Sequence, residues 1–252
     1  MTQNWSFQLY SARNFQPWTD VLKMLAEAGY AEVEGFGAVY GDPAAFRTEL
    51  DRNGLTMPTG HFSIDALETD LGNVIATAST LGMKRIYCPY ILPANRPSDA
   101  AGWQGFARRL QAVGEKVKAA GFGFGWHNHD FEFAALADGS LPMQHILDSA
   151  PGIDWEMDVA WVVRGGGEPQ DWISRHGPRI TAVHVKDIAP QGQNTNEDGW
   201  ADVGHGIINW QVIMKSLRQN TPARSFIMEH DNPSDIGRFA RRSIASLNAF
   251  GA

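Results

Sequence analysis

Short apolar runs alternate with polar loops and amphipathic stretches along the whole chain, at a period of roughly 25 to 35 residues. The runs that read as strands are Ser6–Leu9, Ala31–Glu34, Thr56–Gly60, Arg85–Cys88, Gly123–Trp126, Ile153–Met157, Ile180–Val183 and Ser225–Met228. Between them the 3.6-residue periodicity predicts helices over Trp18–Ala28, Pro43–Asn53, Leu67–Leu81, Ala101–Ala120, Met143–Ser149, Gln170–His176, Trp210–Asn220 and Ser234–Phe250. Gly29, Gly54, Gly82 and Gly121 stand where a left-handed residue would stop a helix. Eight strand–helix units predict an α/β fold, a single (β/α)₈ TIM barrel.

The chain has 252 residues, enough for one barrel, and no Pro/Ser-rich linker divides it, so residues 1–252 are expected to form one domain. Two half-size dinucleotide-binding domains are the competing architecture. No GxGxxG follows a strand, and Gly165-Gly166-Gly167 lacks a convincing phosphate-binding helix after it. The longest irregular stretch, Ile188–Ile208, follows the seventh strand, where a substrate-covering loop would sit.

A net charge of −7 argues against a nucleic-acid partner, because gripping phosphates needs clustered Lys and Arg. The single cysteine, Cys88, excludes an intramolecular disulfide and a CxxC pair. No signal-peptide pattern opens the sequence and no apolar run approaches about 18 residues, so no membrane partner and a cytoplasmic location are expected.

In a barrel of this type, chemistry gathers where the strands end. The second expected strand ends at Glu34 and the third reaches His61. The fifth runs into His127-Asn128-His129, the sixth into Glu156 and Asp158, the seventh into His184 and Lys186, and the eighth into Glu229. Carboxylates closing apolar runs are costly to bury without a cation or hydrogen-bond partners. Asp, Glu and His with no Cys ligand point to a catalytic divalent metal. Carboxylates favour Mn²⁺ or Mg²⁺, while the imidazoles also admit Zn²⁺ or Co²⁺.

At these residues the chain resembles the xylose-isomerase-like TIM-barrel superfamily, with its sugar phosphate isomerases and epimerases, keto-sugar dehydratases and apurinic endonucleases. The resemblance covers nearly the whole sequence. Its carriers are Trp126-His127-Asn128-His129-Asp130-Phe131-Glu132-Phe133, Trp155-Glu156-Met157-Asp158, Val183-His184-Val185-Lys186-Asp187, Val203-Gly204-His205-Gly206-Ile207-Ile208-Asn209-Trp210 and Ile227-Met228-Glu229-His230-Asp231. It implies one divalent ion held at the ends of strands five to eight, typically by Glu, Asp, His and Glu. Asp158, His184 and Glu229 match the last three positions, and His127 stands where many relatives carry glutamate. Glu132 and His129 are the alternative first ligands.

Losing that glutamate removes half of the two-carboxylate pair with which epimerases of the family work both faces of one carbon. His129 could take its place as proton carrier, with Glu229 as its partner. The resemblance therefore implies a metal-dependent sugar isomerase or epimerase that removes the proton beside a carbonyl held by the ion and passes through an enediolate. A keto-sugar or inosose dehydratase shares that first step. A non-catalytic sugar-binding subunit is the alternative of another class.

Lys186 would stabilise the enediolate oxygen or bind an anionic group. Glu34, His61, Glu156, Trp161 and His205 are the candidate substrate contacts. His145 and His176, placed on helices, receive no role. The expected partner is a small sugar or keto sugar, and a homo-oligomer is an expectation from the family.

Overall fold

The computed structural model describes residues 4–250. Eight parallel strands close into a barrel in the order β1-β10-β7-β6-β5-β4-β3-β2. They are β1 (Trp5–Gln8), β2 (Glu32–Gly35), β3 (Thr56–His61), β4 (Arg85–Cys88), β5 (Gly123–His127), β6 (Asp154–Asp158), β7 (Ile180–Val185) and β10 (Ser225–Met228). Every expected strand forms, with ends moved by at most two residues.

The outer ring is α1 (Trp18–Ala28), α2 (Pro43–Arg52), α3 (Ile64–Thr69), α4 (Leu71–Leu81), α5 (Ala100–Ala119), α6 (Pro142–Ser149), α7 (Val159–Arg164), α8 (Pro169–His176), α9 (Trp210–Asn220) and α10 (Ile236–Phe250). Their apolar stripes pack against the strands' outward residues, with Phe7, Val33, Phe124, Trp126, Trp155 and Phe226 essentially buried. Gly29, Gly54, Gly82 and Gly121 all take positive φ, as their positions after helices predict.

Three local expectations are corrected. The helix expected over Leu67–Leu81 is two helices. Ser63 accepts from Ala66 N and starts α3 early, while Asp70, at φ −144° and ψ 50°, leaves helical geometry before α4 begins. A further short helix, α7, follows β6 directly. The stretch Ile188–Ile208 is partly regular: Asp187–Ile188 and Trp200–Ala201 form the antiparallel strands β8 and β9.

One side chain orders that loop. The Asp187 carboxylate accepts from the backbone N–H groups of Ile188, Gly204, Gly206 and Ile208 at 2.9–3.2 Å. A Cβ on Gly206 would lie 2.1 Å from Asp187 Oδ1, so this position has room for glycine alone. Among the described residues, no helix is long and apolar enough to cross a membrane.

Strand parity sorts the interior. Register pairs His127 with Glu156, Asp158 with His184, and His184 with Ile227, so these side chains point to the same side. Tyr87, Ala182 and Ile227 form a small apolar cluster separate from the main core, and Tyr87 is bonded to Thr181 across the barrel. Polar residues replace apolar ones toward the strands' C-terminal ends.

Candidate active site

Asp158 is fixed first, because its position in the chain does two things. It closes β6 and caps α7, with Oδ1 accepting from Trp161 N at 2.8 Å. Its Oδ2 is buried without a hydrogen-bond partner. Asn128 ties the ends of β5 and β6 together: its Oδ1 accepts from Trp155 Nε1 and Asp158 N, and its Nδ2 donates to Asp158 O. His127 is thereby held beside Asp158.

Donor atoms of His127, Asp158, His184 and Glu229 lie within 4.8 Å of one another, and all four residues are buried. A second group, His61, His127, Glu156 and His184, meets the same distance and shares two members with the first. The first group brings together two carboxylates, Asp158 and Glu229, where the second has one. Its members His127 and Glu229 line an open cleft, as His61 and His127 of the second do, and Asp158 Oδ2 has no hydrogen-bond partner. Ion pairs occupy both groups: His61 Nε2 lies 2.6 Å from Glu156 and 3.1 Å from Glu34, and His184 Nδ1 lies 3.0 Å from Glu229.

Electrostatics follow these contacts. Burial alone would push His61 down, but Glu34 and Glu156 raise it to about 10, so it is a cation at neutral pH. His184 is raised by Glu156, Glu229 and Glu34 against the same burial penalty. Burial lowers His127 well below the usual histidine range, assisted by His184, which leaves its imidazole neutral and able to ligate. Burial raises Asp158 to about 7 despite Lys186, consistent with a carboxylate short of positive charge. Glu229 is lowered: burial opposes this, and Lys186 and His184 overcome it.

His129, pushed down to about 3 by burial and Lys186, is also neutral, and its Nδ1 is unpartnered. It lines the cleft with its ring 5.3 Å from Trp161. Trp161 lines the cleft too. Lys186 is fully buried, 2.7 Å from Asp231 and 3.1 Å from Glu229, with Nζ over the Trp161 and Trp200 rings at 4.9 and 4.4 Å.

Of the expected substrate contacts, His61 and Trp161 line the cleft. Glu34 and Glu156 are fully buried and do not line it: Glu34 accepts from Gln8 Nε2 at 2.7 Å and lies 2.6 Å from His184 Nε2. His205 is exposed beside Ser246 of α10, away from the cleft wall, because the Asp187 turn directs its loop outward. Glu132 faces the barrel wall, accepting from Trp126 Nε1 and His129 N at 2.9 Å each, and belongs to neither donor group. The alternative ligand thus serves as a brace for the β5 loop.

Sequence reasoning assigned no role to Gln8, Asn128 or Asp231. Gln8 carried a signal, being a glutamine within an apolar strand, and Asp231 stands in a quoted motif. Trp200 carried none, since only the β8–β9 pairing brings it to Lys186.

The chain matches the family model described as xylose isomerase-like TIM barrel over residues 22–250, and it belongs to that family. It is 24% identical over 193 residues to the rhizopine catabolism protein MocC of Rhizobium meliloti, a match covering 68% of this chain and 58% of that protein. The match thus spans under two thirds of that curated relative. Two solved structures share the fold. One is a sugar phosphate isomerase/epimerase from Parabacteroides distasonis, with TM-score 0.82, 20% identity, and 99% and 94% of the two chains covered. The other is the probable 3-DHS dehydratase AsbF of Bacillus anthracis, with TM-score 0.76, 15% identity, and 98% and 99% covered.

Proposed function

We propose that this chain is a divalent-metal-dependent sugar isomerase or epimerase acting on a keto sugar. The observation that carries the reading is the convergence of His127, Asp158, His184 and Glu229 at the inner end of a cleft that His129 also lines. These four would hold the ion, with Mn²⁺ or Mg²⁺ favoured by the carboxylates and Zn²⁺ or Co²⁺ admitted by the imidazoles. When bound, the ion would polarise a substrate carbonyl and offset the negative charge that develops beside it.

The proton-transfer roles fall to Glu229 and His129. One removes the hydrogen from the carbon next to the carbonyl, and the electron pair moves onto the carbonyl oxygen. The other returns a proton. Return to the opposite face of the same carbon gives the epimer; return to the former carbonyl carbon, with the neighbouring hydroxyl's proton passing to the old carbonyl oxygen, gives the isomer. Lys186 acts through Glu229 and Asp231, which it holds from below. His61 and Trp161 would contact the sugar from the cleft wall. Glu34 and Glu156 support His184 and His61 from beneath.

A second reading has an observation of its own. With His127 at the end of β5, Glu229 has no second ligand glutamate to pair with, which favours one-sided proton removal followed by loss of a β-hydroxyl. That is dehydratase chemistry on the same intermediate.

The test is elemental analysis of the purified protein and of Glu229→Gln, followed by C–H exchange of keto sugars in D₂O with product identification. One equivalent of metal, weakened in the variant, together with exchange supports the proposal. A dehydrated product selects the second reading. A protein that takes up no divalent metal refutes both.

A further inference from the structure

The cleft is larger than the proposed chemistry requires. Together with the open groove that continues past α3 and α4 it offers about 1320 Å³, above the roughly 300–1,000 Å³ that holds a drug-sized ligand, and a single sugar ring is smaller than such a ligand. Its wall also varies in chemistry. The inner end carries His61, His127, His129 and Glu229. Tyr10, Phe36, Tyr90, Ile91 and Leu92 form an apolar group elsewhere on its wall, beside polar residues that include Ser63, Asp65, Asn95 and Arg96.

That apolar group is unusual for this molecule. Among the described residues, the exposed large apolar side chains are Tyr10, Tyr90, Leu92, Ile207 and Val212, and the first three all stand on the cleft. Scattered exposed apolar residues need no explanation, whereas a group lining one concavity marks a binding surface.

The wall is also held in place. Arg96 donates to the Tyr90 hydroxyl at 2.8 Å and to Ile91 O at 3.1 Å, with its guanidinium 3.6 Å from the Phe131 ring centre. Tyr10 meets Phe36 edge-on at 5.4 Å, with the Arg13 guanidinium over its ring at 4.0 Å. Trp161 and Tyr90 each approach the His129 ring, tilted at 5.3 Å and edge-on at 5.0 Å, so aromatic rings reach from the reactive end to the rim. Fixed aromatic faces lose little freedom on binding and suit a flat ligand.

We infer that the substrate is a keto sugar bearing a flat apolar substituent, in chemical class an aryl glycoside. Its sugar ring occupies the histidine-lined end and its substituent lies among Tyr90, Leu92 and Tyr10. The orientation of the sugar rests on the proposed function; the apolar subsite rests on the rim alone.

The test uses protein equilibrated with MnCl₂ and two probes, methyl and phenyl 3-keto-β-D-glucoside, with binding followed by calorimetry. The phenyl compound is expected to bind at least about tenfold tighter. The double variant Tyr10→Ser/Leu92→Ser, altered only at exposed side chains, should lose most of that preference and leave the methyl compound's Kd unchanged. Equal Kd values in the wild-type protein, an equal loss of both in the variant, or no binding of either probe overturns the inference. So does a variant that loses self-association while both probes bind alike, since the rim would then be a contact between copies.

Exchange of the methyl probe's C–H in D₂O separates the two proposals. Exchange without a phenyl preference removes the aryl subsite and keeps the proposed function. A phenyl preference without exchange keeps the subsite and removes the proposed chemistry.

Discussion

His184 Nε2 lies 2.6 Å from Glu34 Oε1, and the other nitrogen of the same ring lies 3.0 Å from Glu229 Oε2. A carboxylate can only accept, so both ring nitrogens carry protons here, in keeping with the raised His184; on binding a metal Nδ1 would give up its proton while Glu34 keeps the one on Nε2. Glu34→Gln should therefore weaken divalent-metal binding by about 10- to 100-fold, the usual cost of losing such a partner. Titration with Mn²⁺ followed by paramagnetic resonance measures this. Unchanged affinity would show that Glu34 has no hold on the ligand.

His129→Gln separates metal holding from proton transfer. Its metal content should stay at the wild-type level while substrate C–H exchange falls by about 10²- to 10⁴-fold, the range typical of a lost general acid or base. A variant that exchanges at the wild-type rate would assign the proton to another group.

Glu132→Ala decides between the brace and the ligand. The variant leaves Trp126 Nε1 and the His129 N–H buried without their acceptor, at a cost of about 1–3 kcal/mol per group. Urea unfolding should show that loss, with metal stoichiometry unchanged. A fall in bound metal would reinstate Glu132 as a ligand.

Glu197 clamps the loop after β7 to the first turn of α10 and the residues before it, accepting from Ser234 N at 2.6 Å and from Arg238 Nη2 at 2.8 and 3.0 Å. Burial would raise its carboxyl, but the Ser234 and Arg238 contacts prevail and lower it. A lowered folded pKa means that the clamp's contribution is present above the ordinary glutamate range and is lost as pH falls through the folded value. Proteolysis within residues 188–201 should therefore accelerate on acidification, with Glu197→Gln showing less of this pH dependence. Equal acceleration in both proteins would place the acid sensitivity elsewhere.

Cys88 is fully buried, and burial pushes its thiol up to about 12. Native protein should not react with a thiol-directed disulfide reagent at pH 8, while urea-unfolded protein should release one equivalent. Rapid reaction of the native form would mean that the β4 end opens.

The fold was legible because a parallel barrel buries both faces of each strand and one face of each helix, and this writes two periodicities into the sequence. The same periodicity concealed the α3–α4 break, since the apolar spacing of Leu67, Leu71, Val74 and Leu81 fits one continuous helix. Asp70's departure from helical geometry and the Ser63 cap divide it.

The sequence by itself determined the eightfold architecture and brought His127, Asp158, His184 and Glu229 to the same end, because strand ends are set by the local pattern and register is set by parity. Only the tertiary structure decided what each polar group faces. It turned Glu132 into the wall, buried Lys186 under Trp161 and Trp200, set Glu34 behind His184, and led His205 outward. Those outcomes depend on contacts between residues far apart in the chain, and a side chain's partner across a closed barrel is fixed by the geometry of closure.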